Sequence, residues 1–133
     1  MISRNGYLPE NPSALPSALE SIKEADLIIL GPGSLYTSLL PNLLVPEIVD
    51  ALLKSNAPKL YISNLMTQPG ETDGLDVYQH IKAIEKQLSI FGVKTRIFNT
   101  ILSQIQFEKS PLVDYYQSRG AVPVVCNLSL IHI

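Results

Sequence analysis

Leu27, Ile28, Ile29 and Leu30 form an unbroken apolar run that stops at once on Gly31, Pro32, Gly33 and Ser34. The run is too short for a buried helix. It suits a strand covered on both faces, as in a parallel sheet. A Gly-rich turn then leaves the carboxyl edge of that strand, which in open α/β sheets is where ligands sit. Glycines without Cβ atoms let a ligand approach the backbone closely. Ser34, Tyr36, Thr37 and Ser38 place four hydroxyls within five residues beside the turn amides. Such a loop suits a phosphate or other oxyanion held by neutral donors. The same turn would serve equally as a plain strand-to-helix connection. The phosphate-loop signature is absent, and Tyr36 occupies the third glycine position of a dinucleotide fingerprint.

The rest of the chain repeats the alternation. Leu15, Leu19 and Ile22 share a helical stripe, with Ser13 as a candidate cap and Pro16 in the first turn. A helix is expected over 46–54, with Pro46 first, Glu47 at the positive end and Lys54 at the other. Leu60, Tyr61 and Ile62 begin a second strand, followed by a second polar loop over 64–74. A long helix over 75–91 follows, capped by Thr72 or Asp73 and ended by Gly92. Residues 94–99 read as a third strand, 110–118 as a helix closed by Gly120, and 122–125 as a fourth strand. Residues 1–12 form a ragged start, with Tyr7 and Leu8 ending a strand. The pattern predicts a three-layer, Rossmann-like α/β domain, with a mostly parallel sheet and helices on both faces.

Composition narrows the function classes. A chain of 133 residues with 46% hydrophobic and 17% charged content can bury one modest core. Ten basic against twelve acidic residues, with no Lys/Arg cluster, gives no footprint for nucleic acid. The apolar runs are too short for a membrane span, and no signal-peptide core opens the chain, so the expectation is a cytoplasmic protein. Cys126, the single cysteine, follows an apolar run and reads as a half-buried thiol. His80 and His132 have no partner at metal-ligand spacing, and no metal site is expected of them.

Two polar loops that each follow a strand should open on one sheet edge. In the second, Asn64, Thr67 and Gln68 offer donors and acceptors for a ribose, sugar or base edge. Tyr36 could stack on a ring or simply pack on Leu39 or Leu40. Glu71 and Asp73, with Asp76 near, could hold Mg²⁺ beside a ligand diphosphate, or could serve as helix-end charges. His80, in the second turn of the long helix, reads as solvated. No nucleophile–His–acid arrangement is present, and no catalytic residue is assigned.

Residues 31–48, GPGSLYTSLLPNLLVPEI, and 61–74, YISNLMTQPGETDG, resemble the YvcK family of bacterial gluconeogenesis factors. These are related to the CofD 2-phospho-L-lactate transferases. The resemblance covers roughly 5–125 and looks like the C-terminal part of that family's domain, with 127–133 as an irregular or non-native tail. It implies a protein that binds a nucleotide sugar such as UDP-N-acetylglucosamine, or a dinucleotide, and influences carbon metabolism and cell-wall or cell-shape control. Matching positions are Gly31, Pro32, Gly33, Ser34, Tyr36, Thr37 and Ser38, then Asn64, Thr67, Gln68, Gly70 and Glu71. A small nucleotide ligand is the partner it implies; protein partners, a homodimer and Mg²⁺ stay open. The alternative is a CofD-like transferase using a nucleotide diphosphate donor. There the first loop reads more like G-P-S-N-P, from which Gly33, Ser34 and Leu35 depart. The family's N-terminal Gly-rich stretch is not found here, so the sheet is expected to end on unpaired strands.

Overall fold

A computed structural model describes residues 12–126, and the expectations for residues 1–11 and 127–133 lie outside them. The chain alternates helix and strand: α1 (Pro16–Glu24), β1 (Ile28–Leu30), a π-helical turn (Leu35–Leu39) running into α2 (Leu40–Asn42), and α3 (Pro46–Lys54). Then follow β2 (Lys59–Ile62), α4 (Val77–Ser89), β3 (Thr100–Leu102) and α5 (Pro111–Ser118). The three strands are parallel in the order β1-β2-β3. Ile29 lies opposite Leu60, and Tyr61 opposite both Leu30 and Ile101. This is the parallel α/β architecture that the alternation predicts.

Packing follows from periodicity. α4 buries Val77, Ile81, Ile84 and Leu88, spaced three or four residues apart so that they fall on one face. Burying those four side chains contributes roughly 1.5–3 kcal/mol each. Tyr61 on the central strand is 1% exposed and stacks at a tilt on Phe98, ring centroids 5.5 Å apart. Burial disfavours the phenolate, pushing the Tyr61 hydroxyl up to about 12. α1 packs along α3. Lys59 is buried, and its ammonium donates to the carbonyls of Ser55 (2.8 Å) and Ala57 (3.1 Å), a cation against the negative end of α3.

Several local expectations give way. β1, an edge of this three-stranded sheet, is not covered on both faces: Leu30 is buried, but Ile29 is 52% exposed. The third strand begins at Thr100 rather than within 94–99. Ile97 and Phe98 are both buried, but in a segment that precedes the hydrogen-bonded strand. Asn99 makes the junction: its N–H donates to Lys59 O (2.8 Å), and its Oδ1 accepts from Lys59 N–H (2.8 Å). Residues 122–125 do not join the sheet. Pro123 forms an antiparallel bridge with Met66, so the segment pairs with the second loop instead.

Helix ends also move. α1 starts from Leu15, without a side-chain cap from Ser13. α4 is capped by Asp76, not Thr72 or Asp73. The Asp76 carboxylate accepts from Gln79 N–H (2.7 Å), and Gln79 Oε1 accepts in return from Asp76 N–H (2.9 Å). His80 is 1% exposed rather than solvated, with Nδ1 2.7 Å from Asp76 O. His80 lies on the buried face of α4 with Val77, Ile81 and Ile84. α3 and α5 sit as predicted, with Pro46 and Pro111 in their first turns and Ser110 capping Val113 N–H. Among the described residues, no helix is long and apolar enough to cross a membrane.

Candidate functional site

Both polar loops leave the carboxyl ends of adjacent parallel strands, β1 and β2, and are bonded to each other. Gly31 adopts φ +86°, and a Cβ there would lie 2.5 Å from Ile62 O, so only glycine fits where the two strand ends converge. The Gly31–Pro32 peptide is cis. Beyond it, the Asn64 carboxamide grips the backbone of Gly33. Gly33 N–H donates to Asn64 Oδ1 (3.0 Å), and Asn64 Nδ2 donates to Gly33 O (2.9 Å).

The hydroxyls of the first loop do not lie on an open turn. Ser34 caps the π-helical turn, its Oγ accepting from Thr37 N–H (3.3 Å) and from the Thr37 hydroxyl. Ser34 in turn donates to Glu71 Oε2 in the second loop at 2.6 Å. Thr37, Ser38 and Tyr36 are exposed on this turn. In the second loop the buried Thr72 hydroxyl accepts from Gln68 N–H (2.8 Å), and Asp73 accepts from Gly70 N–H (2.7 Å). Thr67 is buried; its hydroxyl accepts from Val122 N–H (2.9 Å), and its own N–H donates to Val122 O (2.7 Å). The terminal segment thus holds the second loop in place from behind.

A cleft of about 630 Å³ opens beside these loops. Pro32, Gly33, Asn64, Thr67 and Gln68 form one wall, together with Leu65 and Met66. Phe107, Leu112, Val113 and Tyr116 form the other, with Gln104 and Glu108 at its edge. That second wall comes from the β3–α5 connection and α5, to which the sequence reading gave no role. The available signal was helical spacing in α5: Leu112 and Tyr116 are four apart, fall on one face, and stay exposed. Of the positions singled out in the sequence, Gly31, Ser34, Tyr36, Thr37, Ser38, Gly70 and Glu71 are not among the lining residues. No Lys or Arg lines the cleft, and the Gln68 carboxamide oxygen is out of water without a hydrogen-bond donor among the described residues.

The cleft is therefore bipartite. It has a backbone-rich polar wall and an apolar wall with two aromatic rings, the usual make-up of a site for a small organic ligand. Of the acidic residues in the second loop, Asp73 accepts from Gly70 N–H within its own loop, while Glu71 accepts from Ser34 across the two loops. Among the described residues, no three His, Cys, Asp or Glu side chains gather as a metal-binding group. A second hollow of about 830 Å³ lies between α1 and α3, away from both loops. Its Lys54 is already paired with Asp50 at 2.7 Å.

Comparison with known proteins places this arrangement. The chain is 48% identical over 99 residues to the gluconeogenesis factor of Bacillus subtilis, covering 74% of this chain and 31% of that protein. It is 50% identical over 99 residues to the gluconeogenesis factor of Listeria monocytogenes, with the same coverage. To a relative in Nostoc sp. it is 46% identical over 123 residues, 92% of this chain and 26% of that protein. The chain thus spans between a quarter and a third of these relatives. The crystal structure of a UPF0052-family protein from Bacillus halodurans superposes with a TM-score of 0.83 at 40% identity, over 92% of this chain and 38% of that one. Residues 1–132 match the family described as 2-phospho-L-lactate transferase CofD, and with a match of that extent the chain belongs to the CofD family.

Proposed function

We propose that this chain carries a nucleotide-sugar site of the UDP-N-acetylglucosamine type, in a cytoplasmic regulator of carbon metabolism and cell shape that binds its ligand without converting it. The observation that carries this reading is the bipartite cleft. Phe107 and Tyr116 offer apolar ring surface on one side, and the loop residues Gly33, Asn64, Thr67 and Gln68 line the other. A base or ribose ring on the aromatic wall and polar substituents toward the loops fit the two halves. The gluconeogenesis-factor relatives supply the regulatory context.

In a regulator of this kind, ligand occupancy would shift the population of a conformation that a partner protein reads. Thermal denaturation with UDP-N-acetylglucosamine tests the binding. Saturating ligand at about a hundred times its Kd should stabilise the fold by about 2.7 kcal/mol, with the nucleotide sugar recovered intact by chromatography. An unmoved transition, or formation of a transfer product, would contradict the reading.

A further inference from the structure

We infer that Ser34, Thr37 and Glu71 form a hydroxyl-reading subsite, which accepts hydrogen bonds from a sugar or polyol and turns away bare anions. The inference rests on the nucleotide-sugar reading and assigns the sugar end of that ligand. It follows from counting protons. Ser34 spends its one hydroxyl proton on Glu71 Oε2, and its oxygen accepts from Thr37 N–H and from the Thr37 hydroxyl. Ser34 is thereby saturated, and Thr37 has spent its own proton as well. No hydroxyl donor of this pair is left for an oxyanion.

What remains open is acceptor capacity. Thr37 keeps lone pairs on an exposed side chain, and a carboxylate has about four acceptor positions, of which Glu71 uses one. Among the described residues, no ion pair involves Glu71, so its charge is not neutralised by a cation. Gln68, whose buried carboxamide oxygen has no donor among the described residues, lines the adjoining cleft. Acceptors gathered around one uncompensated carboxylate repel phosphate and attract O–H and N–H groups. The loop chosen from sequence as an oxyanion cradle thus has the opposite polarity on its side-chain face.

The test is calorimetric titration of wild-type chain and Glu71→Gln with UDP-N-acetylglucosamine, UDP and inorganic pyrophosphate. Glu71→Gln keeps the side-chain shape, removes the charge and replaces one acceptor oxygen with an NH2 donor. The inference expects the variant to bind UDP-N-acetylglucosamine about tenfold or more weaker, from lost hydrogen bonds to a charged group. It expects UDP to be unchanged and pyrophosphate to bind tighter than in wild type. Ser34→Ala, which frees Glu71 Oε2, should keep the preference for the sugar-bearing ligand. Parallel weakening of all three ligands would make Glu71 a mere tie between the loops and overturn the inference, as would tighter pyrophosphate binding by wild type. UDP binding with no gain from the sugar would overturn it while leaving the nucleotide site standing. Failure of wild type to bind either nucleotide would overturn both.

Discussion

The Asn64 side chain and the Gly33 backbone are bonded reciprocally, N–H to Oδ1 at 3.0 Å and Nδ2–H to the carbonyl at 2.9 Å. A carboxamide answers a peptide unit with both a donor and an acceptor. The residue after β2 therefore fixes the turn after β1, and the position of the polar wall is a property of the sheet. Asn64→Ala leaves both Gly33 groups unanswered in a half-buried setting. We expect a loss of about 1–3 kcal/mol in urea denaturation. Asn64→Asp keeps the acceptor, loses the donor, and should fall between the two. An unchanged midpoint for Asn64→Ala would show that the grip contributes nothing to the fold.

Two glycines of the same turn should respond differently. Gly31→Ala meets both a left-handed φ of +86° and a Cβ position 2.5 Å from Ile62 O, and the backbone there has nowhere to yield. It should cost at least about 2 kcal/mol. At Gly33 an added Cβ finds only ordinary contacts, Leu39 Cδ2 at 3.7 Å and Ser38 Cβ at 3.9 Å. Gly33→Ala should cost less than about 1 kcal/mol. Equal losses in the two variants would contradict this account of the strand ends.

The aromatic wall makes its own prediction. Tyr116 is 43% exposed and lines the cleft, so truncation removes ring surface without opening the core. Tyr116→Ala should leave the thermal midpoint within experimental error and weaken nucleotide binding by about 1–3 kcal/mol, the usual worth of a stacked ring. Tyr116→Phe should retain most of the affinity. Equal affinity for wild type and Tyr116→Ala in calorimetry would remove the ring from the site.

Glu85 sets a pH dependence. Burial alone would raise its carboxyl, but hydrogen bonds from Lys82 (2.8 Å) and Arg96 (3.0 Å), and their charges, outweigh that and hold it below its ordinary value. A carboxyl lowered by folding adds stability above its unfolded-state pKa and loses it as the pH falls through the folded-state pKa. The groups are partly solvated, so Glu85→Gln should cost under about 1 kcal/mol at pH 7. That difference should begin to shrink below the ordinary value of 4.5 and vanish once the folded-state carboxyl is protonated. A gap between wild type and variant that persists at pH 2 would rule out the ion pair as its source.

What the sequence made legible was whatever rests on local chemistry. Pro46, Glu47 and Lys54 mark the ends of α3, and Ser110 and Pro111 the start of α5, because caps and end charges act within one turn. The parallel pairing of β1 and β2 follows from apolar runs separated by a helix. Long-range partners were not legible. Nothing near Pro123 says that it will bridge Met66 rather than enter the sheet, and nothing in the first loop announces that Ser34 will give its proton to Glu71. The Phe107 and Tyr116 wall was missed because its meaning depends on the loop facing it.

Titration of the chain with UDP-N-acetylglucosamine, followed by calorimetry, tests the central claim most directly. The account predicts saturable one-to-one binding that weakens about tenfold in Tyr116→Ala. A flat titration, or an isotherm that the Tyr116→Ala variant reproduces unchanged, would contradict it.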